Sequence, residues 1–267
     1  MPTIIPFKTI DAIYYLQQLQ NHKPLVHCIT NDVVQNFTAN VLLAIGAVPA
    51  MVVAKEEVSD FVEVSDSLLI NIGTITAPSA KSMLLAVRSA MQSQTPWVLD
   101  PVAVSSALPY RTDITQQLLT FKPSVIRGNA SEILVLANQK SLSKGPDSQD
   151  STQSALCAAR QLAIEYQTIV AVTGQIDYIT DGKRVYSISG GDVALTRVTG
   201  AGCSLSALVA AFVTNVNDKF SATAAACLVM KRAAELANKS QGMGSFAVSL
   251  LDQISLIKLA LARGESA

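Results

Sequence analysis

Residues 198–212 read VTGAGCSLSALVAAF, a glycine turn that runs without a break into an apolar segment of helical character. With a helix opening near Cys203, the amides of Gly200, Ala201 and Gly202 and the positive end of the helix dipole converge on any negative charge above them. A phosphate suits such a cradle. The same glycine pattern also makes a tight packing turn ahead of a helix, and neither a Walker A loop nor a GxGxxG fingerprint accompanies it. Taken alone, the stretch leaves both readings open. It also poses a question, because Cys203 occupies the first turn where an enzyme handling phosphate would more readily use a carboxylate.

Upstream of this turn, short apolar runs with the look of buried strands recur at LVHCI (25–29), AMVV (50–53), LLINIG (68–73), WVLDP (97–101), SVIRG (124–128) and TIVAVTG (168–174). Segments 33–46, 77–92 and 151–167 lie between them, rich in Ala, Leu, Met or Gln with apolar positions three and four apart, and read as helices. This alternation predicts an α/β fold with a central, mostly parallel sheet covered by helices on both faces. After Thr173 the rhythm changes. YITDGKRVYSI (178–188) places Asp181-Gly182 between two β-prone runs, a hairpin signal. Segments 202–214, 219–238 and 246–262 then read as helices. The polar stretch 141–151, with Gly145 and Pro146, reads as a surface loop, so one domain is expected over residues 1–267.

A chain of 267 residues that is 49% hydrophobic has enough apolar mass for a substantial core. Twenty basic and twenty acidic residues cancel, without a Lys/Arg cluster, so a small molecule is expected as partner and nucleic acid is not. Cys28, Cys157, Cys203 and Cys227 are widely spaced and form no CxxC pair, which argues against a disulfide framework or a zinc site and for a reducing cytoplasm. The N-terminus lacks a basic segment ahead of an apolar run, and no apolar stretch reaches the roughly 18 residues of a membrane span. A soluble, unprocessed protein without membrane association is the expectation.

In an open parallel sheet, ligands sit beyond the carboxyl ends of the strands. Those positions here hold Thr30-Asn31-Asp32, Lys55-Glu56-Glu57, Asn71 to Thr74, Asp100-Pro101, Arg127-Gly128-Asn129 and Thr173-Gly174. Asn129 followed three residues later by Glu132 is a common helix opening. It is equally the place for a carboxylate that holds Mg²⁺ through water beside a nucleotide, with Asp100 as the second carboxylate, since Mg²⁺ needs only one or two. Asp100 before Pro101 also reads as an ordinary turn residue. Arg127 precedes the same helix and is placed to meet nucleotide phosphates. His27, alone among apolar strand residues, reads as a core histidine, and Met51 as core or as the wall of an apolar pocket.

Taken in order, these motifs resemble the ribokinase-like superfamily and, within it, the hydroxyethylthiazole kinase family. The segments that carry the likeness are PLVHCITNDVVQNFTANVLLAIGAVPAM (24–51), AKEEV (54–58), NIGT (71–74), LDPV (99–102), RGNASEI (127–133), VTG (172–174) and VTGAGCSLSA (198–207). The resemblance implies phosphoryl transfer from ATP, with Mg²⁺, to the hydroxyl of 4-methyl-5-(2-hydroxyethyl)thiazole. It implies that Asn31 and Met51 line the thiazole pocket, with Gly200 beside the substrate, that Arg127 and Thr173 contact ATP, and that Glu132 with Asp100 organises the metal. It also implies a homotrimer with active sites at subunit interfaces; no β-rich insertion large enough for a sugar-kinase lid is visible in this sequence.

By the same resemblance, sugar-acting relatives carry an aspartate at the position of Cys203 as the base for the acceptor hydroxyl. A free thiol titrates near pH 8.5 or so, lower at a helix N-terminus, and is a weaker base in practice because so little of it is ionised. Phosphoryl transfer passes through a loose transition state in which the proton need not leave early, so a weak base suffices for a slow enzyme. Three other readings stay open at this point: a hydroxymethylpyrimidine-type kinase, an ADP-dependent dehydratase of hydrated nicotinamide cofactors, and a ligand-binding descendant without catalysis.

Overall fold

The computed structural model describes residues 3–137 and 154–263, which places the expected surface loop at 141–151 outside the described residues. The strands expected from the sequence appear as β2 (Leu25–Ile29), β4 (Ser67–Asn71), β5 (Trp97–Asp100), β6 (Val125–Asn129) and β7 (Ile169–Thr173). The hairpin forms β8 (Asp177–Thr180) and β9 (Val185–Ile188) about the Asp181-Gly182 turn, and a first strand, β1 (Ile4–Pro6), pairs with β9. With β3 (Val48–Ala50) they make one sheet in the order β1-β9-β8-β7-β6-β5-β4-β2-β3. Only β8 runs antiparallel to its neighbours. All nine strands belong to that sheet, so among the described residues no second sheet exists to act as a lid.

Period-two alternation sends successive residues of each central strand into opposite cores. Leu69, Val98, Val125 and Ala171 join the cluster on one face, while Leu68, Ile70, Leu99, Ile126 and Val170 join the cluster on the other. The first face is covered by α1 (Thr9–His22), α2 (Gln35–Ile45), α8 (Ala201–Phe212), α9 (Lys219–Leu236) and α10 (Met243–Arg263). The second is covered by α3 (Val58–Glu63), α4 (Ala77–Ser93), α5 (Pro109–Leu119), α6 (Ala130–Leu136) and α7 (Leu156–Tyr166). Both layers have the same cause. A strand buried on two sides needs apolar partners on two sides, and α8 meets that need with ten of its twelve residues buried.

Two segments differ from the sequence reading. The strand expected over 50–53 lies earlier, at Val48–Ala50, because Gly46 closes α2 in a left-handed conformation and Val48 already pairs with Leu25. Residues 51–54 run past the sheet edge, where the Val52 carbonyl accepts a hydrogen bond from the buried His27 ring at 2.8 Å. His27 is thus a core histidine held through one ring nitrogen; among the described residues its buried Nδ1 has no partner. The N-terminal stretch, with no strong pattern in the sequence, folds as β1 and α1 against the far sheet edge.

After β2 the chain forms β3 on the outer side and then crosses back to place β4 on the inner side of β2. The crevice at this reversal lies between the carboxyl ends of β2 and β4, where Asn31 and Asn71 stand. No described helix is long and apolar enough to cross a membrane.

Candidate active site

Beyond the strand ends, a chain of polar side chains crosses three strands to reach the first turns of α8. Asn31, just past β2, donates through Nδ2 to Asn71 Oδ1 at 2.9 Å and to Cys203 Sγ at 3.5 Å. Asn71, the last residue of β4, donates to Asp100 Oδ2 at 2.7 Å, and Ser206 Oγ donates to the same oxygen at 2.9 Å. Asp100 Oδ1 is buried without a hydrogen-bond partner. Burial pushes the Asp100 carboxyl above its usual range, against the opposing pull of Arg127, Ser206 and Asn71. A buried carboxylate oxygen left open in this way is a natural place for a cation or a proton.

Glu132 lies in the first turn of α6, buried, and its two oxygens accept from the amides of Ala103 at 2.9 Å and Asn129 at 2.8 Å. Asn129 Oδ1 in turn accepts from the Glu132 amide at 2.9 Å, so the capping box foreseen in the sequence is present. Glu132 does more than cap: the Ala103 bond ties it to the turn after β5. Burial raises its carboxyl above the usual range, and the neighbouring Asp100 charge raises it further. Two carboxylates that destabilise each other's charge, one with an open oxygen, suit a hard cation such as Mg²⁺.

Arg127 leaves β6 toward α8. Its Nη2 donates to Thr173 Oγ1 at 2.5 Å, and a Cβ added at Gly202 would stand 3.0 Å from its Nη1. The guanidinium is therefore pressed against the opening of α8. Gly200, the N-cap, has φ +91°, and it carries no side chain to cap the helix. The Ala201 amide closes the turn by donating to the Val198 carbonyl at 3.2 Å, which removes it from the expected cradle. The other first-turn amides, with no side-chain cap and facing a guanidinium, make an anion site by backbone geometry and charge together.

Cys203 does not follow the expectation of a lowered pKa. Burial pushes its thiol up to about 12, with Asp100 adding to the shift and Asn71, Arg127 and Asn31 opposing it. Desolvation is the largest cause of the rise. Beside Asn31 a cleft of about 440 Å³ opens between Ile29, Val53, Asn71, Pro78 and Met83. Met51 is half-buried and packs against the hydrophobic core on the α8 side of the sheet.

A sequence profile of the hydroxyethylthiazole kinase family matches residues 16–259. The chain belongs to this family. It is 51% identical over 253 residues to the hydroxyethylthiazole kinase of Pectobacterium carotovorum, covering 94% of this chain and 96% of that protein. The hydroxyethylthiazole kinase protein of Pyrococcus horikoshii superposes with a TM-score of 0.86 at 35% identity, covering 96% of this chain and 97% of the other. A ribokinase-like superfamily protein of Enterococcus faecalis shares the fold, with a TM-score of 0.69 at 13% identity and coverage of 97% and 96%. The hydroxyethylthiazole kinase family is thus joined on this chain to the ribokinase-like sheet read from the sequence.

Ser206 and Ala103 are connecting residues that sequence reasoning did not single out, and Asn71 was named there only as a strand-end position, without a role. Ser206 was within reach of it, because a position three after Cys203 shares its helix face. Ala103 was not: it sits at φ +59°, a conformation nothing in the local sequence announces.

Proposed function

We propose that this protein transfers the γ-phosphoryl group of ATP, with Mg²⁺, to the hydroxyl of 4-methyl-5-(2-hydroxyethyl)thiazole, giving ADP and the thiazole phosphate. Family membership supports the reaction and the thiazole substrate. The observation that carries the mechanism is the meeting, at the opening of α8, of Arg127, the uncapped amides and Cys203, itself tied to Asn31.

In this reading the amides of Gly200 and Gly202 and the Arg127 guanidinium face the phosphoryl oxygens, where charge spreads in a loose transition state, while Ala201 holds the turn through its bond to Val198. Thr173 fixes Arg127 through its hydroxyl and lies beside the ATP phosphates. Asp100, through its open Oδ1, and Glu132, through water, would hold Mg²⁺, which supplies neutralisation of phosphate charge when bound. Asn31 and Met51 line the thiazole site, and Gly200 borders the substrate. Cys203, protonated at neutral pH, orients the acceptor hydroxyl rather than ionising it in advance. The hydroxyl proton leaves late, after bonding to phosphorus has begun.

The same proposal includes a homotrimer. Asp32, Thr74, Thr76 and Pro78 on the rim of the cleft are exposed, which leaves room for a neighbouring subunit to close it. With four free thiols, the protein belongs in a reducing cytoplasm on this reading.

Incubation with MgATP and the thiazole alcohol, followed by mass spectrometry, tests substrate and reaction together. The expected product carries one added phosphoryl group, and a metal chelator abolishes it. Phosphorylation of hydroxymethylpyrimidine in its place, or dehydration of hydrated NADH, would overturn the assignment.

A further inference from the structure

A buried charged cluster lies outside the residues assigned above. Lys231 sits within α9 among buried alanines and is only 6% exposed. Its ammonium donates to the carbonyls of Gly174 at 2.9 Å, Gln175 at 3.1 Å and Gly190 at 3.2 Å, and stands 3.3 Å from Asp177 Oδ1. An ammonium has three protons, so the three carbonyls use its donor capacity and the carboxylate balances its charge. Asp177 Oδ1 also accepts from the Gly174 amide at 2.9 Å.

The loops gathered here come from two ends of the candidate site. Gly174 and Gln175 directly follow Thr173, the partner of Arg127. Gly190 begins the segment that runs to Gly200. One turn further along α9, Glu235 accepts from the Gly191 amide at 2.8 Å, so the helix holds this second loop by a carbonyl and by an N–H. An ion pair buried at this depth is weak support for stability, because desolvation offsets most of its attraction. What it does supply is a fixed separation between two backbone segments that share no ladder hydrogen bonds at this point.

We propose that Lys231, with Asp177, is a positioning residue for the nucleotide end of the site. Its ammonium acts as a tethered cation that holds the loop after Thr173 against the loop leading to Gly200. This rests on the assignment of Arg127 and Thr173 to ATP.

Two variants test it by steady-state kinetics and by calorimetric titration of MgATP. Asp177→Asn keeps the acceptor for the Gly174 amide and removes only the charge. Its KM for ATP should rise about tenfold while its KM for the thiazole alcohol stays within about twofold, since misplacement acts on the loop that moves. Lys231→Ala should bind MgATP more weakly still and regain part of the loss in ammonium chloride, but not in tetramethylammonium chloride, which has no N–H to offer the carbonyls.

Folded variants with wild-type ATP affinity would overturn the proposal. So would equal losses for both substrates, or failure of both variants to fold, since either marks the cluster as structural support alone. If the wild type bound MgATP and left the thiazole untouched, the substrate assignment would fall. The calorimetric comparison of the variants would still decide the role of Lys231.

Discussion

Asn31 donates to Cys203 Sγ at 3.5 Å across a sequence separation of 172 residues. The same amide nitrogen serves Asn71 Oδ1 at 2.9 Å, so the sulfur receives a hydrogen bond while its own proton remains free to turn elsewhere. This contact joins the loop of the proposed thiazole site to the helix of the proposed phosphate site. It also answers the question set by a cysteine in the first turn: a thiol held near pKa 12 is a positioned contact before it is a base.

From that value, about one thiol in ten thousand is ionised near pH 8. Iodoacetamide at that pH should label exposed Cys157 long before Cys203, by mass spectrometry of peptides. Turnover from about pH 6 to about pH 9 should show no inflection that Cys203→Ala removes. Cys203→Asp should raise kcat, because in the same surroundings a carboxyl ionises more readily than a thiol; Cys203→Ala should lower kcat by less than the roughly hundredfold of a lost general base. Rapid labelling of Cys203 would sink the idea.

Two glycines of the turn should fail in different ways. Gly200 has φ +91°, and an added Cβ would stand 3.1 Å from Val34 Cγ1, so Gly200→Ala should cost about 1–2 kcal/mol and lower Tm. Gly202 is helical, with only the Arg127 guanidinium in the way at 3.0 Å. Gly202→Ala should therefore keep Tm and weaken ATP use by displacing Arg127. Calorimetric unfolding beside kinetics separates the two; identical behaviour would refute the distinction.

Arg127 has a geometric partner in Thr173 and a charge field set by three buried acids, Asp100, Glu132 and Asp177. Arg127→Met should reduce kcat/KM for ATP by about 10²–10³, the range found on removing one preorganised donor from a transition state. Thr173→Val should reproduce a fraction of that loss. An unchanged kcat/KM in Arg127→Met would remove the guanidinium from the reaction.

Asp100 and Glu132 both titrate above the usual carboxylate range, so without metal the folded state binds protons more tightly than the unfolded chain. Stability from this source is complete below the unfolded carboxyl values, about pH 4, and is lost as pH rises through the raised folded values. On acidifying metal-free protein from about pH 7 to about pH 5, Tm should gain relative to Asp100→Asn, in which the buried charge is gone. Saturating MgATP should reverse the trend, since a bound cation favours ionised carboxylates. Scanning calorimetry of both proteins at both pH values checks the sign.

For the assembly, sedimentation should give three times the 28.2 kDa chain mass. Val33 is apolar and 67% exposed, two residues from Asn31. Val33→Glu should lower the assembled fraction and the activity together. A fully active monomer would end the trimer proposal.

The sheet was legible in the chain because a strand buried on both faces must be apolar throughout, and LLIN, WVLD and IVAVT are short runs of that kind separated by helical periods. The edges were not: β3 slid to Val48–Ala50 and β1 went unseen, since an edge strand with few contacts leaves little mark on composition. The strand-end residues Asn31, Asp100, Arg127 and Thr173 could be named from position alone, because each closes or follows an apolar run, and Glu132 from the helix opening it forms with Asn129. Their pairing could not. Which carboxylate oxygen stays open, that Arg127 leans on Gly202, that Asn71 connects Asn31 to Asp100 while Ser206 joins Asp100 to α8, and that the Cys203 thiol is raised are consequences of distance and desolvation. Those quantities exist only once segments far apart in the sequence have been brought together.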